Sequence, residues 1–159
     1  VRGFVIETFA NSEKERKDGM DISLLCIHQA KMEVTWSGAN NPLWYITNSA
    51  DSSSDEGSTL IEIKANKQAI GRTENPSPFT KHTLQLNSGD IFYLMTDGYA
   101  DQFGGPKGKK YKYKQLNDLL LSISTENLNT QKDILQTSFN NWKENLEQVD
   151  DVLIVGIKI

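Results

Sequence analysis

"GDIFYLMTDGYADQFGG" occupies positions 89–105, and its reading decides what the rest of the chain has to build. The apolar run Ile91–Met95 has the length and character of a buried strand, and it stops at Thr96-Asp97-Gly98. The chain ends on the mirror arrangement. In "EQVDDVLIVGIKI" (147–159), the pair Asp150-Asp151 opens a second apolar run. If the two runs are antiparallel neighbours, the end of one meets the start of the other, and Asp97 and Asp150 share one rim. Carboxylates packed against an apolar core need a partner or a cation, and no lysine or arginine adjoins Asp150-Asp151 in sequence. A hard divalent cation, magnesium or manganese, suits such oxygen donors. A second reading stands beside it: both acids are caps and turn formers. Spacing alone does not choose between them.

Working outward, "KHTLQLNSGDIFYLMTD" (81–97) predicts a hairpin turning at Asn87-Ser88-Gly89-Asp90, with Asp90 a turn residue. "MDISLLCIHQ" and "KMEVTWSG" predict two strands joined tightly near Gln29-Ala30, with Met32, Val34 and Trp36 on the inner face. "LWYITN" and "STLIEIKA" predict two more strands, separated by the small, acidic tip "SADSSSDEG". The first residues predict a helix with Phe4, Val5 and Phe9 on one side, followed by a polar turn. Beyond the glycine-rich loop, Leu116, Leu119, Leu120 and Ile123 repeat at helical spacing, as do Leu135, Phe139, Trp142 and Leu146. Thr130 is the expected N-cap of the second of these helices, with Asp133 favouring its positive end. Val152–Ile159 is expected to be a buried strand. Helices segregated from a largely antiparallel sheet make the expected class α+β.

The totals narrow the function. A chain of 159 residues suits one domain, and 37% apolar with 24% charged residues is ordinary for a globular protein. A net charge of −4 argues against a nucleic-acid footprint. The cluster "KGKKYKYK" (107–114) is a local exception, read as a solvated loop leading into a helix. The single cysteine, Cys26, excludes an internal disulfide, and its apolar neighbours suggest a buried thiol. No apolar run reaches membrane-spanning length and no secretory pattern opens the chain, so the cytoplasm is the expected compartment. The chain is also compatible with the cytoplasmic end of a membrane-anchored sensor. His28 and His82 without further cysteines do not make a zinc site. "GGPKGKK" lacks the spacing and the hydroxyl of a phosphate-binding loop, and no serine sits in a nucleophile elbow.

The segments "DGMDISLLCI", "GANNPLWYI", "KQAIGR", "LNSGDIFYLMTDGYADQFGG" and "EQVDDVLIVGIKI", in that order, resemble the SpoIIE-like branch of the metal-dependent, type-2C serine/threonine phosphatases. The resemblance implies a partial phosphatase-type β-sandwich of largely antiparallel strands flanked by helices. It implies that Asp97 and Asp150 bind Mn2+ or Mg2+, with Gly98 and Asp151 supporting, and that Asp18 and Asp21 are turn and strand residues. The family's early metal-binding aspartate, in an Asp-Gly or Asp-x-x-Gly-His-Gly segment, has no counterpart here. The expectation is therefore a single domain, 1–159, forming the C-terminal portion of the phosphatase domain with its N-terminal strands missing. The implied activity is hydrolysis of phosphoserine or phosphothreonine proteins by a metal-activated water, in bacterial signalling. An anti-sigma-factor antagonist would be the substrate and a sensor domain would lie upstream. By itself the chain is expected to be inactive, and an open sheet edge would permit a homodimer. The alternative is a non-catalytic regulatory or interaction module on the same fold.

Overall fold

The computed structural model describes residues 1–10, 19–47, 59–71 and 76–159. The elements run α1 (Arg2–Ala10), β1 (Gly19–Met20), β2 (Ile22–His28), β3 (Glu33–Ala39), β4 (Leu43–Ile46), β5 (Leu60–Ile63), β6 (Ile70–Gly71), β7 (His82–Gln85), β8 (Ile91–Met95), α2 (Gly98–Asp101), β9 (Phe103–Gly104), β10 (Lys109–Lys110), α3 (Tyr113–Ser122), α4 (Leu128–Lys143) and β11 (Ile154–Lys158). This is the expected α+β class, with antiparallel ladders and separate helices. Asp18, the polar turn after α1 and the tip at 49–57 lie outside the described residues. The chain divides into two compact units, 1–43 with 62–86 and 44–61 with 87–159.

The first unit carries the sheet β2-β3-β7 and the small pair β1-β6. β2 and β3 pair from Ile22↔Ala39 to His28↔Glu33, through a 3-10 turn at Gln29–Lys31. Val34 and Trp36 are buried as alternation requires. Met32 is not: it adopts a left-handed turn conformation (φ 50°) and is 42% exposed, because the connection ends on it. Cys26 is exposed too, contrary to expectation. It shares the outward face of an edge strand with Leu24, and apolar neighbours in sequence say nothing about which face a strand residue takes. In α1 only Val5 of the pair Phe4 and Val5 is buried, against Ala39 and Ile70, while Phe4 is 74% exposed. Gly38 lies inside β3.

The predicted hairpin is corrected. The turn forms, with Gly89 at φ 92° and the Asp90 N–H donating to the Asn87 carbonyl at 3.2 Å, but it joins strands of different sheets. β7 pairs with β3 and β8 with β11. The reason is burial. β8 is apolar on both faces and takes an interior place, whereas β7 alternates and suits an edge.

The second unit carries the sheet β11-β8-β4-β5 and the hairpin β9-β10. Its core joins Trp44, Ile46, Leu60, Ile91, Tyr93 and Met95 to Leu116 and Leu120 of α3 and Leu135 and Phe139 of α4. The N-cap of α4 is Asn127, whose Oδ1 accepts from the Thr130 N–H at 2.9 Å. The cap thus lies three residues before the expected one, and Asp133 falls beyond the first turn of the helix. β11 pairs with β8 from Ile154↔Met95 to Lys158↔Ile91, the expected antiparallel neighbours. It is an edge strand, however, and not a buried one: Val155 is 41% exposed because β8 covers only one side of it.

Candidate metal site

At one end of the β8–β11 ladder the two acid-tipped runs meet. The Thr96 N–H donates to the Leu153 carbonyl at 3.1 Å, extending the pairing one step past Met95. The Thr96 hydroxyl donates to the Asp151 carbonyl at 2.8 Å and accepts from the Leu153 N–H at 3.0 Å. Gly98 is buried directly against the same segment: a Cβ built on it would stand 2.5 Å from the Asp151 carbonyl oxygen. Its φ is not in the left-handed region, so what demands glycine is the close approach of backbone and not turning freedom. The neighbours of Asp97 on both sides therefore touch the residue next to Asp150.

Asp97 itself is exposed, in helical conformation at the start of α2, and its carboxylate makes no capping hydrogen bond. Asp150 and Asp151 are exposed as well. The Asp150 Oδ1 accepts from the Asp151 N–H at 2.7 Å, a local turn bond, and Gln148 donates to the Asp150 carbonyl at 2.8 Å. The turn-former reading thus holds for one oxygen of Asp150, and the cap reading does not hold for Asp97. The expectation of acids packed against the core is corrected: they sit in solvent at the rim. Among the described residues none of the three forms an ion pair; the pairs found are Lys110–Asp101 and Lys114–Asp118.

Two supporting residues went unread in the sequence. Gln102 is fully buried, and its amide donates to the carbonyls of Phe103 and Glu147 at 3.0 and 2.9 Å. Its Oε1 accepts from the Val149 N–H at 3.3 Å, so Gln102 holds the segment that leads into Asp150. Tyr99 fixes α2 from beneath. Its hydroxyl donates to the Leu135 carbonyl at 2.9 Å, and its ring meets Tyr111 and Phe139 at 5.1 and 5.0 Å. Burial pushes the Tyr99 phenol well above its ordinary pKa. A glutamine and a tyrosine beside an acidic turn look like ordinary polar surface; only their tertiary partners reveal the roles.

The remaining candidates sit elsewhere. His28 bonds Thr35 on an exposed sheet face at 3.3 Å, and His82 packs its ring 5.5 Å from Trp36. Asp21, expected as a strand residue, falls between β1 and β2, where it accepts from the Asn40 amide at 2.8 Å. No helix among the described residues is long and apolar enough to cross a membrane.

The fold is that of known phosphatase domains. The SiaA PP2C domain of Pseudomonas aeruginosa matches with a TM-score of 0.81 at 22% identity, over 99% of this chain and 59% of that one. The phosphatase domain of the cell-fate determinant SpoIIE from Bacillus subtilis matches at 0.60 and 14%, over 99% and 64%. RsbX, solved in complex with magnesium, matches at 0.53 and 14%, over 98% and 69%. The chain thus spans less than two thirds of the first two. No protein with a curated description matches it. The sequence model of the family described as Stage II sporulation protein E matches residues 6–159. With nearly its whole length so matched, on a PP2C-type fold, the chain belongs to the SpoIIE family.

Proposed function

We propose that this chain carries two metal-binding aspartates, Asp97 and Asp150, of a metal-dependent phosphoprotein phosphatase, with Gly98 and Asp151 supporting them. The observation that carries the reading is the β8–β11 ladder, whose end sets Thr96 and Gly98 against Asp151. The donor chemistry fits a hard cation. Exposed carboxylate oxygens at one rim suit Mn2+ or Mg2+, which use one or two carboxylates and keep several waters. The magnesium complex of RsbX, a protein of similar fold, supports that choice. A bound cation would supply positive charge against the phosphoryl oxygens and lower the pKa of water at the site. The chain's own residues do the placing: Asp97 and Asp150 hold the cation, while Thr96, Gly98 and Gln102 fix the backbone that carries them. The substrate class is a phosphoserine or phosphothreonine protein, with an anti-sigma-factor antagonist as the signalling substrate and a sensor domain upstream.

A second reading, a non-catalytic regulatory module, draws on one observation. Among the described residues no group of three or more His, Cys, Asp or Glu side chains gathers to hold a metal. We therefore expect the 159 residues alone to bind manganese weakly and to turn over little. The test uses the parent protein, with Asp97→Asn and Asp150→Asn. Both should lower manganese-dependent hydrolysis of a phosphoserine peptide by orders of magnitude and weaken manganese binding in calorimetry, with the melting temperature nearly unchanged. Variants that bind and turn over like the parent would overturn the assignment. A parent that binds neither metal nor phosphopeptide would favour the module.

A further inference from the structure

The lysine-rich stretch 107–114 has no role in the site above, yet it is built onto it. β9 and β10 form a short hairpin, Gly104 opposite Lys109 and Phe103 opposite Lys110. Its return strand is tied to the helix that begins after Asp97: the Lys112 N–H donates to the Ala100 carbonyl at 2.7 Å, and the Tyr111 N–H to that of Gln102 at 2.9 Å. The Lys110 ammonium lies 2.9 Å from the Asp101 carboxylate. Lys112 is held at φ 74°, ψ 146°, a conformation that favours glycine, so the surroundings impose its position. The hairpin and the residues after it are thus bonded to α2 and to Gln102 just beyond it.

Its charge is only partly spent. Lys110 pairs with Asp101 and Lys114 with Asp118. Lys107, Lys109 and Lys112 are exposed and form no ion pair among the described residues. Asp133 of α4 and Glu144, which caps its C-terminus, line a cleft with Gly105 and Pro106, so these acids lie on one side of the hairpin turn. Phe103, 43% exposed, stands opposite the paired Lys110, whose ammonium lies 5.9 Å from its ring centroid, and so on the other face of the ribbon from Lys109. A positive element on a chain of net charge −4 offers local attraction to a ligand that the rest of the surface repels. Of the two tyrosines that interleave with the lysines, Tyr111 is buried against Trp142 with ring centroids 5.2 Å apart, and Tyr113, 39% exposed, meets Trp44 edge-on at 5.8 Å, so an oligonucleotide is the competing occupant that the test includes.

We infer that the β9–β10 hairpin, through its exposed lysines Lys107, Lys109 and Lys112, docks an acidic segment of the phosphoprotein substrate. This rests on the phosphatase reading and names what would bring a substrate to it. A phosphorylated residue carries about two negative charges, and neighbouring acidic residues would extend the complementarity across the lysines.

The experiment separates the two ideas. Fluorescein-labelled phosphoserine peptides with acidic or basic flanks, and an oligothymidylate, are titrated by anisotropy into the 159-residue chain. The wild type is compared with the pair Lys107→Glu, Lys109→Glu and with the pair Lys31→Glu, Lys67→Glu, which has the same net charge change on exposed sites elsewhere. A milder Lys107→Gln, Lys109→Gln pair guards against misfolding, and circular dichroism melts accompany all variants. The expected result is about ten-fold tighter binding of the acidic peptide than the basic one, lost in the hairpin pairs, kept in the control pair and weakened by salt. Equal losses in both charge-reversed pairs, no preference for acidic flanks, or tighter binding of oligothymidylate would each overturn the inference. In the parent protein, kcat/KM is then measured on the acidic phosphopeptide and on p-nitrophenyl phosphate. Loss on the peptide alone supports docking, and equal activity of the hairpin variant on both overturns it. A parent that hydrolyses neither defeats the phosphatase reading while the anisotropy still decides the docking.

Discussion

Thr96 shows how much one hydroxyl can organise. It is both donor and acceptor to the segment 151–153, so it fixes where Asp150-Asp151 begin relative to Asp97. Thr96→Val keeps the shape and removes both bonds. Because the segment is exposed, water replaces part of what is lost, and stability should fall by only about 1 kcal/mol. Manganese affinity of the parent protein should fall roughly ten-fold or more, as for other groups that orient metal ligands. Thr96→Ser should restore affinity. Calorimetric titration with thermal melts checks this, and an affinity loss no larger than the stability loss would leave Thr96 a purely structural residue.

At the scale of elements, α4 and β8 each offer a test. The cap of α4 is Asn127, so Asn127→Ala should cost about 1 kcal/mol while Thr130→Ala costs little; the reverse order in urea melts would restore the cap expected from sequence. β8 carries Tyr93, whose phenol burial pushes up to about 12 while its hydroxyl donates to Gln131 at 2.9 Å. The unfolded chain ionises such a phenol near 10, so the folded state binds more protons above that pH. The stabilising contribution is complete below about pH 10 and is lost as pH rises toward about 12, at roughly 1.4 kcal/mol for each pH unit climbed. Tyr99, raised in the same direction by burial, adds to the slope. Urea melts between pH 8 and 11 should show stability falling above pH 10, less steeply for Tyr93→Phe. An unchanged slope would mean that the phenol ionises without unfolding.

At the scale of the whole molecule, the open strand edges matter most. Among the described residues β11 ends its sheet with Val155 exposed, as is Leu153 just before it, and β2 ends the other with Leu24 exposed. Unpaired edges with apolar side chains invite another strand. The purified chain should therefore self-associate as its concentration rises, and Val155→Lys should shift it toward monomer in light scattering. A monodisperse monomer at high concentration, indifferent to that substitution, would remove the homodimer from consideration.

The sequence by itself determined the α+β class and the antiparallel pairing of the runs at 91–96 and 152–158, because apolar length and acidic ends are local signals, while the resemblance of five ordered segments pointed to the family. It also marked Asp97, Asp150, Gly98 and Asp151, though the acids stand in solvent and Gly98 is required by contact and not by turning. It could not show that β7 and β8 part into different sheets, since a turn signal is the same whether or not its flanks pair. Nor could it expose Cys26, bury Gln102, or give Thr96 its two partners, because which face a residue takes and what waits there are set by segments up to 57 residues away. Local periodicity writes the elements; the tertiary structure alone decides which of their polar atoms meet.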